Sequence, residues 1–374
     1  MSQKIVSQKI VSHGSGSLRL ISGVGAKGPA CFLLEAGDKR LMLDLGEGPP
    51  PGHMPDVDGL SSVDAVVLSH GHRDHVGGLS LLEKLGNPPV YATDIVARGL
   101  PAGLQIRSLP VTGKSAIFDI AVETGRNGHA PGGIWLRFSI GGGVLYTGDF
   151  SAESFLYAYD PPTQPTPTVL MDYSYGNYQK PIAECWNELA AFAARGPLLL
   201  PVPANGRGPE IALEFFRRGH SDIFVDAAMQ ASLQRLADSD AISVQATVGD
   251  DIKRLANAVR PIEHIRGVML AASADGASGA SARLLAEWEH QAGPAIVLTG
   301  YVNPSTPADR MAKNGRAKTM RWNVHPRLSD SVDLARTMQA KIIVPAFCDR
   351  TQLPAIATAL APATVTMDGP IEII

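Results

Sequence analysis

The stretch "VVLSHGHRDHVGGL", residues 66–79, places His70, His72, Asp74 and His75 within six positions directly behind an apolar run. A short apolar run closed by polar residues reads as a buried strand. The segment that follows, "GGLSLLEKLG" (77–86), has helically spaced leucines and a glycine stop and reads as a helix. The cluster is therefore expected on a strand-to-helix loop. Imidazole and carboxylate suit zinc or a similar divalent ion, and histidines two positions apart on an irregular loop can reach the same ion. His70 with His72 makes one chelating pair and Asp74 with His75 another. Two pairs this close predict two adjacent ions.

On the amino-terminal side of the cluster the chain reads as short strands punctuated by glycine: "LRLISG" (18–23), "ACFLLEAG" (30–37), "RLMLDLG" (40–46) and "DAVVLSH" (64–70). Strands resume at "PVYAT" (89–93), "AIFDIAVE" (116–123), "IWLRFSI" (134–140) and "GVLYTGD" (143–149). The prolines of "DPPTQPTPT" (160–168) forbid helix and mark a loop. Beyond it, helical spacing near 183–194, 209–218, 230–238 and 280–290 alternates with the apolar strands "PLLLPV", "GVMLAAS" and "AIVLTG". That alternation is the pattern of a doubly wound α/β unit. "KIIVPAF" (341–347), "TQLPAIATALA" and "IEII" predict one last strand-helix-strand passage.

The bulk composition narrows the function classes. A chain of 374 residues has the length for two domains, and 45% hydrophobic with 18% charged residues excludes disorder as the default. No apolar run reaches the roughly 18 residues of a membrane span. The tandem "SQKIVSQKIV" (2–11) contains no signal-peptide core, so a cytoplasmic protein without membrane attachment is expected. Three scattered cysteines, Cys31, Cys185 and Cys348, argue against a disulfide framework and fit a reducing compartment. A net charge of −3 means that any nucleic acid must be held by a local positive groove rather than by bulk attraction.

Two ions need more ligands than one loop supplies. "GRNGHAPGG" isolates His129 between glycines that permit close backbone approach, and "VLYTGDFS" sets Asp149 at the end of an apolar strand. An aspartate suits the bridging role, because each oxygen can bind one ion. Asp44 in "RLMLDLGEG" also ends a strand, where it would hold a water or orient a ligating histidine.

This ordered set resembles the metallo-β-lactamase superfamily, an αββα sandwich with its metal site on one edge. The resemblance narrows at "TVLMDYSYGN" (168–177), which is similar to the acidic motif of the β-CASP nucleases and puts Asp172 at the acidic position. "LPVPANGRGPEIALEFF", "GVMLAASADGASGASARLL" and "IVLTGYVNPSTPADRMAKNG" resemble the strand-helix signatures of the inserted β-CASP domain. "RWNVHPRLSD" (321–330) resembles the histidine motif that follows the insertion, giving His325. The resemblance implies an α/β fold: a metallo-β-lactamase sandwich from residues 1–182 and 321–374, interrupted by a doubly wound β-CASP domain over 183–320. It also implies a Zn2+-dependent hydrolase that cleaves phosphodiester bonds of RNA, or of DNA, with a metal-activated hydroxide. His70, His72, His129 and Asp149 would bind the first zinc, and Asp74, His75 and Asp149 the second. His325 would be the general acid, steadied by Asp172, with Asp74 counted beside them in the catalytic set. Single-stranded nucleic acid would lie in the interdomain cleft, and the chain is free to form a homodimer.

One position departs from the family pattern. The family places a histidine after the terminal buried strand, and this chain reads "KIIVPAFCDR", with Phe347 at that register. Phenylalanine cannot bind zinc, so the second ion is expected to be weakly held, replaced by another metal, or completed by Cys348 or Asp349. A positive groove would draw on Arg207, Arg310 and Arg316, with Lys313 and Arg321. Two other functions stay open: a hydrolase of a small ester, lactone or phosphoester, and a catalytically impaired partner of an active paralogue.

Overall fold

The computed structural model of the chain describes residues 14–373, so the tandem at 2–11 lies outside the described residues. Two seven-stranded sheets and one six-stranded sheet account for the strands. The first sheet runs Ile371–Ile373, Gly16–Ser22, Cys31–Ala36, Lys39–Leu43, Ala65–Val67, Val90–Thr93, Ile106–Leu109 in spatial order. The second runs Thr364–Val365, Ile342–Ala346, Thr168–Asp172, Val144–Tyr146, Ile134–Phe138, Ile120–Arg126, Gly113–Ile117.

Alternation along these strands decides what they bury. Phe32, Leu34, Leu41 and Leu43 from the first sheet meet Val122, Leu136, Phe138 and Tyr146 from the second in one apolar layer. Their neighbours Leu33 and Met42 point outward under Leu79, Leu82 and Leu85. The outer face of the second sheet packs Leu145, Val169 and Met171 against the helices Leu328–Thr337 and Leu353–Leu360. The result is a sandwich covered on both outer faces.

The third sheet is wholly parallel, in the order Arg260–Pro261, Ile223–Val225, Val268–Ala271, Leu198–Pro201, Ala295–Leu298, Ala317–Thr319. Its two faces separate residue by residue. Leu198, Leu200, Ile223 and Val225 pack under Ile182–Ala193, Arg207–Arg217, Ala227–Ala237 and Gly249–Ala258. Leu199 and Phe224 pack under Gly279–Glu287 and Pro307–Lys313. A parallel sheet buried on both faces needs such continuous apolar strands.

Three local readings change. "GGLSLLEKLG" folds as a 3-10 helix, Leu79–Leu85, ended by Gly86 at φ 88°. "AIFDIAVE" is a hairpin of Gly113–Ile117 and Ile120–Arg126, because Phe118 turns the chain at φ 56°. The helix Gly249–Ala258 has no counterpart in the sequence reading; it opens on Gly-Asp-Asp and buries only Ile252, Leu255 and Ala256.

Strand direction then positions the site. Lys39–Leu43 and Ala65–Val67 are parallel neighbours, as are Val144–Tyr146, Thr168–Asp172 and Ile342–Ala346. Parallel neighbours end on the same side, and function collects in the loops beyond their carboxyl ends. Those loops carry Asp44, His70, Asp149 and Phe347, and Asp172 closes its own strand.

Candidate metal centre

His70, His72, His129 and Asp149 present one ligand atom each, all within 4.8 Å of one another. What surrounds each ring decides which nitrogen faces inward. His129 Nδ1 lies 2.6 Å from the carbonyl of Val324, and His72 Nε2 lies 3.1 Å from the carbonyl of Asn205. A carbonyl only accepts, so both nitrogens carry the proton. His70 Nδ1 lies 3.0 Å from the Ser69 hydroxyl, whose own proton goes to Asp44 Oδ2 at 2.7 Å. Each outer nitrogen is thus the donor, and each inner nitrogen is a bare lone pair.

These inner lone pairs face each other closely: His72 Nδ1 is 3.1 Å from His70 Nε2 and 3.0 Å from His129 Nε2. With no proton between them the arrangement is repulsive unless a cation sits at their focus. Asp149 Oδ2 completes the set, 3.8 Å from His70 Nε2 and 3.6 Å from His129 Nε2. Burial keeps His70 and His129 well below the usual imidazole value and lowers His72 as well, so all three are neutral donors. Three nitrogens and one carboxylate fit a zinc-type ion.

Asp44 organises this edge from behind. At φ 55° it turns its carboxylate back, and Oδ1 accepts the Ser69 amide while Oδ2 accepts Ser69 Oγ, Tyr146 OH and His75 Nδ1. Asp74, His75 and Asp149 form a second group of ligand atoms within the same span. Burial acts against the charge on His75, but Asp149 and Asp44 carry it well above its usual value. Burial alone would raise Asp149; His75, His325 and His129 outweigh it and hold the carboxyl well down.

His325 closes the set from the other side. Its Nδ1 lies 2.8 Å from Asp172 Oδ2 and 3.7 Å from Asp149 Oδ2. Burial disfavours the charged ring, but Asp172 and Asp149 prevail and raise it. Asp172 is itself fixed, accepting the Ser174 amide at 2.8 Å. Tyr175 holds the His325 loop: its hydroxyl donates to the Trp322 carbonyl and accepts the Val324 amide, both at 3.1 Å.

A cavity of about 290 Å³ opens on these groups, lined also by Lys27, Arg207, Asp275 and Tyr301. Beside it lies a second, of about 470 Å³, which His325 also lines. Its wall holds Lys27, Arg207 and Arg321 with Tyr175, Tyr178 and Tyr301, and no carboxylate. The Arg321 guanidinium stacks between Tyr175 and Tyr178, 4.3 and 4.4 Å from their ring centres.

Of the cations expected to line a groove, Arg207 and Arg321 are at the cavities, and Arg310, Lys313 and Arg316 are not among their lining residues. Arg310 grips Glu289 with two nitrogens, and Arg316 donates to the carbonyls of Trp288 and Pro294. The tyrosines were missed by sequence reasoning, although two of them, Tyr175 and Tyr178, lie within six positions after Asp172 and were a readable signal.

Residues 24–191 match the metallo-beta-lactamase superfamily. The chain is 28% identical over 255 residues to transcription termination factor FttA of Cenarchaeum symbiosum, covering 55% of this chain and 39% of that protein. It is 27% identical over 253 residues to ribonuclease TTHA0252 of Thermus thermophilus, covering 57% of each. A solved structure of a protein of unknown function from Enterococcus faecalis superposes with a TM-score of 0.61 at 14% identity, covering 96% of this chain and 100% of that one. The fold is shared. Over residues 24–191 the chain is similar to the metallo-β-lactamase superfamily, and these relatives carry the names of a transcription termination factor and a ribonuclease. The matched part spans only about two fifths to three fifths of those relatives' length. Among the described residues no helix is long and apolar enough to cross a membrane.

Proposed function

We propose that this protein is a zinc-dependent nuclease that cleaves single-stranded RNA at the junction of the two cavities. The observation that carries the reading is the convergence of three inward lone pairs and Asp149 beside a histidine already paired to a buried aspartate. An ion held by His70, His72, His129 and Asp149 would supply Lewis-acid stabilisation of charge on an attacked phosphate.

The protein's own groups divide the remaining work. Asp172 accepts from His325 Nδ1, which orients the ring and leaves Nε2 to hand a proton to the departing oxygen. Arg207 donates Nε to Thr299 Oγ1 at 3.1 Å, leaving its terminal nitrogens for phosphate oxygens. Lys27 sits 4.9 Å over the Tyr301 ring at the mouth. Cations interleaved with tyrosines suit a strand whose bases are unpaired and can stack. What supports RNA over a small ester is this second cavity, together with the names of the relatives. We take residues 183–320 as the inserted domain. We place the protein in the cytoplasm because Cys31, Cys185 and Cys348 are all free and buried.

The test pairs metal analysis with cleavage of end-labelled single-stranded RNA and DNA. The expected result is bound zinc, cleavage of RNA, and loss of cleavage in His325→Ala. Bound metal with no cleavage of either polymer, but turnover of a small ester, would replace this reading with the small-molecule hydrolase.

A further inference from the structure

Asp149 separates two unlike corners. Oδ2 faces three imidazoles whose inner nitrogens lack protons. Oδ1 is buried without a hydrogen bond, 3.3 Å from His75 Nε2. Asp74 supplies the other oxygen of that corner, and the wall beside His75 is a phenyl ring.

That ring is built in. Phe347 follows the strand Ile342–Ala346 at φ 63°, and its amide donates to the Gly23 carbonyl at 2.7 Å. Its ring is buried edge-on against His75, centre to centre 5.3 Å, and against Phe32 at 6.1 Å. Gly23, at φ 83°, allows the fit: a Cβ there would come within 3.1 Å of the Phe347 ring and 2.9 Å of Phe32.

The next two residues do not take over as ligands. Cys348 is buried in the opposite apolar layer with Met171, Tyr173 and Ile356, while Phe347 belongs to the sandwich interior. Asp349 caps the following turn, its Oδ1 accepting the amide and hydroxyl of Thr351 at 2.8 and 2.6 Å. Three protein ligands suffice for a zinc whose shell is completed by water or another donor. Here one of the three is shared with the first ion, and the apolar ring replaces solvent on one side with nothing to coordinate.

We infer that the protein holds a single tightly bound divalent ion per chain, at His70, His72, His129 and Asp149, and that Phe347 keeps the Asp74–His75 corner from holding a second. The inference rests on the metal centre proposed above and not on the substrate. His75, gripped at Nδ1 by Asp44, is then a positioning residue for Asp149 rather than a ligand. Asp74 borders the cavity without a metal to hold.

The experiment is a metal-to-protein ratio by elemental analysis, after loading the full chain with zinc and desalting. The expected ratio is about one for the natural chain, about one for Asp74→Asn, and about two for Phe347→His. A ratio of two in the natural chain overturns the inference, as does a drop in Asp74→Asn or a ratio of one in a folded Phe347→His. Asp74→Asn keeps the test decisive if the histidine variant fails to fold. A ratio of one with no RNA cleavage would sink the nuclease reading and leave the single-ion inference standing.

Discussion

The sandwich edge and the inserted sheet meet across one cavity and bring opposite chemistry to it. From the sandwich come groups that suit a cation: His70, His72, His129 and Asp149. From the insert come an orienting carbonyl at Asn205 and groups that suit an anion, Arg207 with Tyr301 close by. The ring of His72 belongs to one side, and the acceptor that fixes its proton belongs to the other. A ligand's identity is therefore local, but its readiness to bind depends on the docked insert.

Removing a ligand from the sandwich should have the largest effect. His72→Ala is expected to lose the ion and to cut RNA cleavage by on the order of 10⁴-fold, and chelation of the natural chain should do the same. Retained metal in that variant would break the contrast between the two sides. His325→Ala should cut cleavage by roughly 10²- to 10⁴-fold while the ion stays bound. Loss of the ion there would show that the His325 side is also a ligand side.

Arg207→Ala probes the insert. It should raise KM by about 10-fold or more with little change in metal content, since a charge-assisted contact to phosphate contributes about 1.5–3 kcal/mol. An unchanged KM would remove the anion-binding role from the insert.

The seam itself is tested at Glu210. Its buried carboxylate accepts Ser154 Oγ and the Phe155 amide at 2.6 Å, and Trp322 Nε1 at 2.8 Å. Ser154 and Phe155 lie in the loop between Val144–Tyr146 and Thr168–Asp172 of the second sheet, and Trp322 lies just after the last strand of the third, Ala317–Thr319. Glu210→Ala orphans all three, and thermal or denaturant unfolding should register a loss of at least about 2 kcal/mol.

The smallest effect is expected at Asp160. Burial works against its charge, but Arg126 draws the carboxyl down to about 2. A carboxylate lowered in the folded state stabilises above its unfolded value near 4, and that contribution fades as pH falls toward 2. Asp160→Asn should flatten this acid limb, by less than about 1 kcal/mol because the pair is partly solvated. An unchanged acid limb would remove Asp160 from the balance.

The candidate metal ligands were legible because the chemistry demands particular side chains. Only imidazole and carboxylate suit the ion, and "SHGHRDH" concentrates them behind a run that can only be buried. Helices near 183, 209 and 230 were legible for a similar reason, since their apolar spacing matches the helical period. The hairpin inside "AIFDIAVE" was hidden because Phe118, a residue that favours strand, is forced to positive φ. Arg310 looked as available as Arg207; Glu289, far off in sequence, decided between them.

By itself the sequence determined which atoms can bind a metal, that they follow apolar strands, and that Phe347 is not one of them. Only the tertiary structure decided which nitrogen of His72 and of His129 faces inward, because the deciding acceptors are the backbone carbonyls of Asn205 and Val324, which carry no residue identity. It also decided where Phe347 points. The positive φ after the last buried strand turns that ring onto His75 and carries Cys348 to the far layer, and such a turn is enforced by packing against Gly23 rather than by local preference.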